Sequence, residues 1–394
     1  MSLSQLNIPY SVSTVSVSII DTTALVTNYP FDTFAGPPIN GFQNYSFGVN
    51  SFLISHGEQN LVFDLGIPKD PKNDFPPSFS EALGPLLESG ITFNIDKYVS
   101  EILTDASVPL DSIDAIIWSH SHWDHTGRPS LFPSSTDLIV GAGFLDAFGL
   151  GYPVNESSPF LSRELEGRNV REIEWASNAT TIGGLQAYDY FGDGSFYFLN
   201  APGHDHVHMA GLARVTSNPD TFILMGADAF HHGSELRPSS HVPLPKSICL
   251  SDMPKSLPNP IPRDLLQAIH PASHPETLPP YAQNLTSTTR SPFQAIIDPV
   301  AGNPNPNPVN GPLARDVLTK VQAFDADESI FVVSAHDLTL HGTVDFFPAT
   351  ANDWKAKGWK EKIRWGFVQD LEAALELIST PVSRAKRGIL CGCS

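Results

Sequence analysis

The feature that most constrains this chain is the nonapeptide Ser-His-Ser-His-Trp-Asp-His-Thr-Gly at 119–127, which follows directly on the apolar run Ala-Ile-Ile-Trp at 115–118. The run reads as a buried strand that ends in a polar loop. A catalytic zinc takes neutral imidazoles and carboxylates in a nearly tetrahedral array with one position left for water. In a tight loop, His120 and His122 converge on one ion while Asp124 and His125 turn toward another, a geometry that a regular helix does not permit. Two ions about 3.5–4 Å apart share a hydroxide as nucleophile, and one of them polarises the scissile carbonyl. A carboxylate between the ions is expected, because it offsets their repulsion.

The same form, an apolar strand running into ligand-type residues, recurs three times: Phe-Tyr-Phe-Leu-Asn before Ala-Pro-Gly-His-Asp-His, Thr-Phe-Ile-Leu-Met-Gly before Ala-Asp-Ala-Phe-His-His, and Ser-Ile-Phe-Val-Val-Ser before Ala-His-Asp. Eight of the fourteen histidines fall in three short windows: 120–125, 204–208 and 231–232. The repetition predicts one site at a common sheet edge, where a rigid sheet fixes the loops that carry chemistry. Residues 14–20, 51–55 and 61–65 read as strands, the last two joined as a hairpin. Apolar residues at helical spacing predict a helix over 95–103 and another over 365–378. The proline-rich stretch 236–318, with Gly-Asn-Pro-Asn-Pro-Asn-Pro at 302–308, reads as an insertion or lid on a single domain spanning 1–394.

The motif at 119–127 resembles the HxHxDH signature of metallo-β-lactamase-fold hydrolases, and further landmarks of that family follow in order. Residues 50–66 resemble its opening hairpin, with Asp64 in the supporting aspartate position; Ala-Pro-Gly-His resembles the loop of the third histidine, Gly-Ala-Asp-Ala the bridging carboxylate loop, and Ser-Ala-His-Asp the last ligand loop. The resemblance implies an α/β fold of two mixed β-sheets face to face with helices outside. It implies one ion held by His120, His122 and His204, a second by Asp124, His125 and His336, and Asp228 bridging. The ions are two divalent cations, with zinc the default for such ligands. This set disfavours zinc β-lactamases proper and flavodiiron oxidoreductases. It matches glyoxalase II, lactonases, fungal polyketide thioesterases and tRNA-processing nucleases, and the lead-in 110–127 looks most like the lactonase branch. Lactonases place a tyrosine three residues after the bridging aspartate, where this chain has His231. His231 and His232 are therefore candidates to donate to a developing oxyanion, with Asp124 a candidate to protonate the leaving oxygen.

Charge separates these branches. Lys plus Arg total 23 against 42 for Asp plus Glu, a surface that repels phosphate backbones and anionic lipid, so neither a nucleic acid nor a membrane is the expected partner. No segment has the length and apolarity of a membrane span or the pattern of a signal peptide. Three cysteines, Cys249, Cys391 and Cys393, form no disulfide framework, and a reducing, cytoplasmic setting is expected. Four Asn-x-Ser/Thr sequons, at Asn44, Asn155, Asn178 and Asn284, carry little weight against that, and the terminal Cys-Gly-Cys-Ser reads as a frayed tail rather than a prenylation box.

Bland readings hold elsewhere. His56, His241, His270, His274 and His341 are taken as ordinary loop histidines, His206 and His208 as supporting or structural, and Phe144, Phe148 and Tyr152 as core; Trp123 fits packing or a pocket wall equally. The expected activity is metal-dependent opening of a lactone in a small-molecule substrate, with thioester or cyclic amide hydrolysis next. The rival from another class, a binding protein with a structural metal centre, is disfavoured because such centres are closed and rich in cysteine.

Overall fold

A computed structural model describes residues 3–70, 72–176, 179–251, 253–300 and 307–379. The expectations for Asn178, for part of the proline-rich run and for Cys391 and Cys393 lie outside these residues.

Two sheets face each other. Seven strands make the first: β1 (Ser16–Pro30), β2 (Asn44–His56), β3 (Gln59–Phe63), β4 (Thr92–Ile95), β5 (Ala115–Ile117), β6 (Asp137–Gly141) and β7 (Val170–Ile173), in the order β4-β1-β2-β3-β5-β6-β7. Six make the second: β8 (Thr180–Ile182), β9 (Leu185–Asp189), β10 (Phe196–Asn200), β11 (Met209–Thr216), β12 (Thr221–Met225) and β13 (Ile330–Val333), in the order β13-β12-β11-β10-β9-β8. Both are mixed: β3, β5, β6 and β7 run parallel, as do β12 and β13, and the remaining pairs are antiparallel.

The two-residue period of a strand explains the layering. Leu61 and Phe63 of β3, Ala115 and Ile117 of β5 and Ile139 of β6 meet Phe196 and Phe198 of β10, Ile223 and Met225 of β12, and Phe331 and Val333 of β13 in one core between the sheets. Their neighbours point outward. Val62, Ile116, Leu138 and Val140 pack under the helix Val99–Asp105 with Trp118, Phe144 and Phe160. Leu199, Leu212, Phe222, Leu224 and Val332 pack under Ala314, Val317, Leu318, Val321 and Phe324 of the helix Gly311–Asp325. The result is the expected helix–sheet–sheet–helix order. Phe144, stacked on Phe160, is core as the sequence suggests.

Three expectations need correction. The helix placed at 95–103 begins only at Val99: Ile95 ends β4, paired with Ala24, and the Glu101 carboxylate accepts the Tyr98 N–H at 2.9 Å, capping the helix there. The closing helix opens as a 3-10 turn, Gly366–Leu371, where Gly366 passes too close to Thr339 for a side chain, and becomes α-helical only over Glu372–Ser379. Cys249 is disulfide-bonded, which so sparse a cysteine content did not suggest.

The stretch 236–318 is far from featureless. It contains the helix Arg263–Ile269, and Leu244, Ile248, Leu257, Ile261, Leu266 and Phe293 share a cluster with Phe31, Phe34, Phe42 and Phe47 and with Phe367, Leu371 and Leu375 near the end of the chain. Its last residues return to the ligand-type loops: Val309 N–H donates to His204 O and Asn310 N–H to Gly203 O, just before the Asn310 side chain caps Gly311–Asp325. Gly203, at φ +128°, lies where a Cβ would meet Ala314 N at 2.4 Å, so only glycine allows this contact. No helix among the described residues is long and apolar enough to cross a membrane.

Trp118, fully buried, ties β5 to the far end of the motif loop by donating its indole N–H to Thr126 O at 2.8 Å. Trp118→Ala is expected to cost about 3–5 kcal/mol through cavity formation, read as a lower urea midpoint at unchanged slope; a midpoint equal to the parent's would contradict this account.

Candidate metal centre

Five strands deliver their C-terminal ends to one edge. Asp64 follows β3, the 119–127 loop follows β5, His204 follows β10, Asp228 follows β12 and His336 follows β13. Backbone hydrogen bonds lock the loops together: Asp64 N–H donates to Ile117 O, Met209 N–H to Ser119 O across the two sheets, and Ala335 N–H to Ala227 O.

All seven side chains singled out by the motif reading come together there. His120, His122, His204 and Asp228 form one group, and Asp124, His125, Asp228 and His336 a second, each with ligand-type atoms within 4.8 Å of one another. Asp228 belongs to both. Its Oδ1 lies 3.1 Å from His125 Nε2 and 3.1 Å from His336 Nε2, and its Oδ2 lies 3.3 Å from His204 Nε2 and 3.7 Å from His120 Nε2. His204 Nε2 is 2.8 Å from His122 Nδ1 and 3.2 Å from His120 Nε2. Asp124 Oδ2 is 3.5 Å from His336 Nε2. His125 Nε2 and Asp228 Oδ1 are buried without a hydrogen-bond partner, as expected of donor atoms reserved for a cation. The residues present therefore fit a pair of metal ions.

The far sides of the rings are held. Asp64, in the left-handed conformation at φ 58°, accepts Ser119 N–H and Ser119 Oγ–H, both at 2.8 Å, and contacts His125 Nδ1 at 2.9 Å. Ser119 Oγ in turn meets His120 Nδ1 at 2.9 Å, and His336 Nδ1 donates to Gly48 O at 3.0 Å. With a proton fixed at each Nδ1, the Nε2 lone pairs face the centre. Burial and the neighbouring histidines hold His120 and His204 well below the usual imidazole range. Burial raises Asp228, yet His125, His336 and His231 outweigh it and keep the group ionised.

The other predicted residues divide. His231 joins the cluster, with Nε2 3.3 Å from Asp228 Oδ2 and neither ring nitrogen hydrogen-bonded. His232 turns away: its nitrogens engage Ser234 Oγ at 2.7 Å and Asp370 Oδ2 at 3.1 Å, and its ring packs among Phe31, Phe42 and Phe367. Its expected place at the reacting group is corrected accordingly, because it is occupied in capping the short helix Gly233–Leu236. His208 supports the site by accepting the Asp228 N–H at 3.1 Å. Trp123 is half-exposed beside Phe75, Phe79 and Phe93.

Sequence reasoning missed Asp205, which accepts Ser121 N–H and Oγ–H at 3.0 and 2.7 Å and so pins the turn between His120 and His122. Its position directly after His204 was the available signal. Phe34, 4.2 Å from the His231 ring, and Phe47, 4.7 Å from His336, were also missed, because the segment carrying them shows no chemistry of its own.

Residues 45–281 match the model of the metallo-beta-lactamase superfamily. The chain is 42% identical to a gamma-lactamase of Fusarium pseudograminearum over 92% of its own length and 84% of the relative's. It is 39% identical to a cytochrome P450 monooxygenase, mpaDE, of Penicillium roqueforti, over 94% of this chain but only 39% of that longer protein. In fold it resembles an N-acyl homoserine lactone hydrolase solved with its product at the catalytic metal centre, with a TM-score of 0.52 at 15% identity, covering 86% of this chain and 99% of that one.

Asp64→Asn keeps the volume but loses the charge that holds Ser119 and His125. Metal affinity is expected to fall about 10–100-fold in a chelator competition titration, and an unchanged affinity would remove Asp64 from the supporting role.

Proposed function

The chain belongs to the metallo-β-lactamase superfamily and is a metal-dependent hydrolase, and from that premise we propose that it uses two ions to open the ring of a small cyclic carbonyl compound. The observation that carries this reading is the sharing of Asp228 between two four-residue donor groups.

On this reading His120, His122 and His204 would hold the first ion and Asp124, His125 and His336 the second, with Asp228 shared between the two groups. Two divalent cations bound there, zinc by the chemistry of the donors, would supply a hydroxide at neutral pH and polarise the carbonyl. The chain's own residues do the rest. Asp228 sets the spacing, with its backbone held by His208. Asp124 takes the remaining proton of the attacking hydroxyl group and passes it to the leaving atom as the ring bond breaks. His231 Nε2 contacts the reacting group, since it stands at the cluster with no protein partner. Phe34 and Phe47 give the substrate an apolar wall and, with the 236–318 segment packed behind them, exclude water.

The sequence puts the lactone first among substrates, and the fold neighbour is named for one. A second reading, the γ-lactam, is favoured by the gamma-lactamase that matches nearly the whole chain. Both reactions pass through attack on a ring carbonyl, and they differ in the leaving atom.

His122→Ala and Asp228→Ala are expected to deplete bound metal and to lower hydrolysis of a lactone and γ-lactam panel by at least about 1,000-fold, measured with metal analysis on the same samples. Full activity in a metal-stripped sample, or one inert ion per chain, would sink the proposal.

A further inference from the structure

A buried hydroxyl beside the cluster has no task within the protein. Tyr45, on β2, is 5% exposed, and its Oη is buried without a hydrogen-bond partner. Leaving such a group unpaired is costly, and a phenylalanine would fill the same space without that cost. Three of the rings around it, Phe31, Phe34 and Phe47, are phenylalanines. A hydroxyl kept in such company calls for a partner from outside the chain.

The surroundings say where that partner would lie. The Tyr45 ring is stacked on Phe47 at 5.2 Å and meets Phe31 edge-on at 5.1 Å and Phe34 at 5.8 Å, so its orientation is fixed. Phe47 packs edge-on against His336, and Phe34 packs against His231. Tyr45, His231 and His336 line one cavity. Of the buried side chains in that lining, His232 is engaged by Ser234 and Asp370, Arg237 by Asp325, and Asp337 by Thr339. Tyr45 Oη and both His231 nitrogens are left without partners. Burial above all, and then neighbouring carboxylates that include Asp228 and Asp124, push the phenol well above its usual range. The group is thus a neutral hydroxyl with a hydrogen to donate.

We propose that the Tyr45 hydroxyl is a catalytic contact: it donates a hydrogen bond to the carbonyl oxygen of the substrate ring, and does so most strongly once attack has turned that oxygen into an oxyanion. A donor held in place by its neighbours and screened from water needs no reorganisation as the charge develops. No proton changes hands, since the O–H bond stays intact throughout. Every cyclic ester or amide has this carbonyl, so the contact speeds the opening of either ring and does not choose between them. The inference rests on the ring-opening reading of the site.

The test is Tyr45→Phe, which removes the oxygen and keeps the stacked ring. Because that oxygen has no partner in the protein, the Y45F variant should match the parent in thermal stability and in zinc content. Its kcat is expected to fall about 10–100-fold, by like factors on a γ-lactam and on the matching lactone, with KM changed by no more than about 2-fold. Affinity for a cyclic phosphonate, whose oxygens mimic the tetrahedral oxyanion, should fall by the same factor as kcat. Parental kcat in Y45F, parental affinity for the phosphonate, a loss confined to one ring, or a loss that tracks lower stability or zinc content would each overturn the proposal. If the zinc-loaded parent opens neither ring, the ring-opening reading fails and takes this inference with it; parental rates in Y45F beside an active parent remove the Tyr45 contact alone.

Discussion

Lone pairs crowd around a single carboxylate at the heart of this molecule. Imidazole nitrogens of His125 and His336 sit on one oxygen of Asp228 and those of His204 and His231 on the other, while His122 and His204 approach each other to 2.8 Å. With the outward nitrogens of His120, His125 and His336 already engaged by Ser119, Asp64 and Gly48, protons are fixed away from the centre. Inward lone pairs repel unless a cation stands among them, so the fold has to spend stability to keep them together.

The sandwich supplies that stability. Alternating side chains fill both the inter-sheet core and the two helix-covered outer faces, leaving the strand ends at one edge as rigid mounts for loops that would otherwise spring apart. Ties run between the sheets as well as along them. Met209 N–H donates to Ser119 O, and Asn50 N–H to Ala335 O, so the loops after β5 and β13 are each anchored to a strand that does not carry them. The helix Gly311–Asp325 adds a third anchor by closing on Gly203 next to His204.

What could be read in advance follows from this division of labour. Cation chemistry demands particular residue types at short spacing, so His120, His122, Asp124 and His125 announce themselves, and the strand-to-loop form extends the reading to His204, Asp228 and His336. The core strands were legible because burial on both faces requires continuous apolar runs, as at Ile330–Val333. Residues whose role is to hold other residues carry no such signal. Asp205 is marked only by its place after His204, and of the two histidines read as supporting or structural it takes the contacts to show His208 holding the Asp228 backbone. His231 and His232 are adjacent and identical in type, yet a cap at Ser234 and a partner at Asp370 draw one ring outward and leave the other at the cluster. The packing of the proline-rich stretch is hidden for a related reason: it depends on Phe31, Phe34 and Phe42, about two hundred residues earlier in the chain, and no local pattern reports a partner so distant.

The departures from the lactonase pattern gather on one side of the cluster. His231 stands where those enzymes have a tyrosine; Phe34 packs on its ring; Glu235 lies behind it; and the 236–318 segment covers the aromatic group to which Phe34 belongs. The opposite side, Asp64 with Ser119 and His125, matches the arrangement the resemblance implied. A hydrolase of this kind can leave the cation-holding side untouched, since any carbonyl substrate needs the same nucleophile, and change which ring it accepts on the side that meets the leaving group.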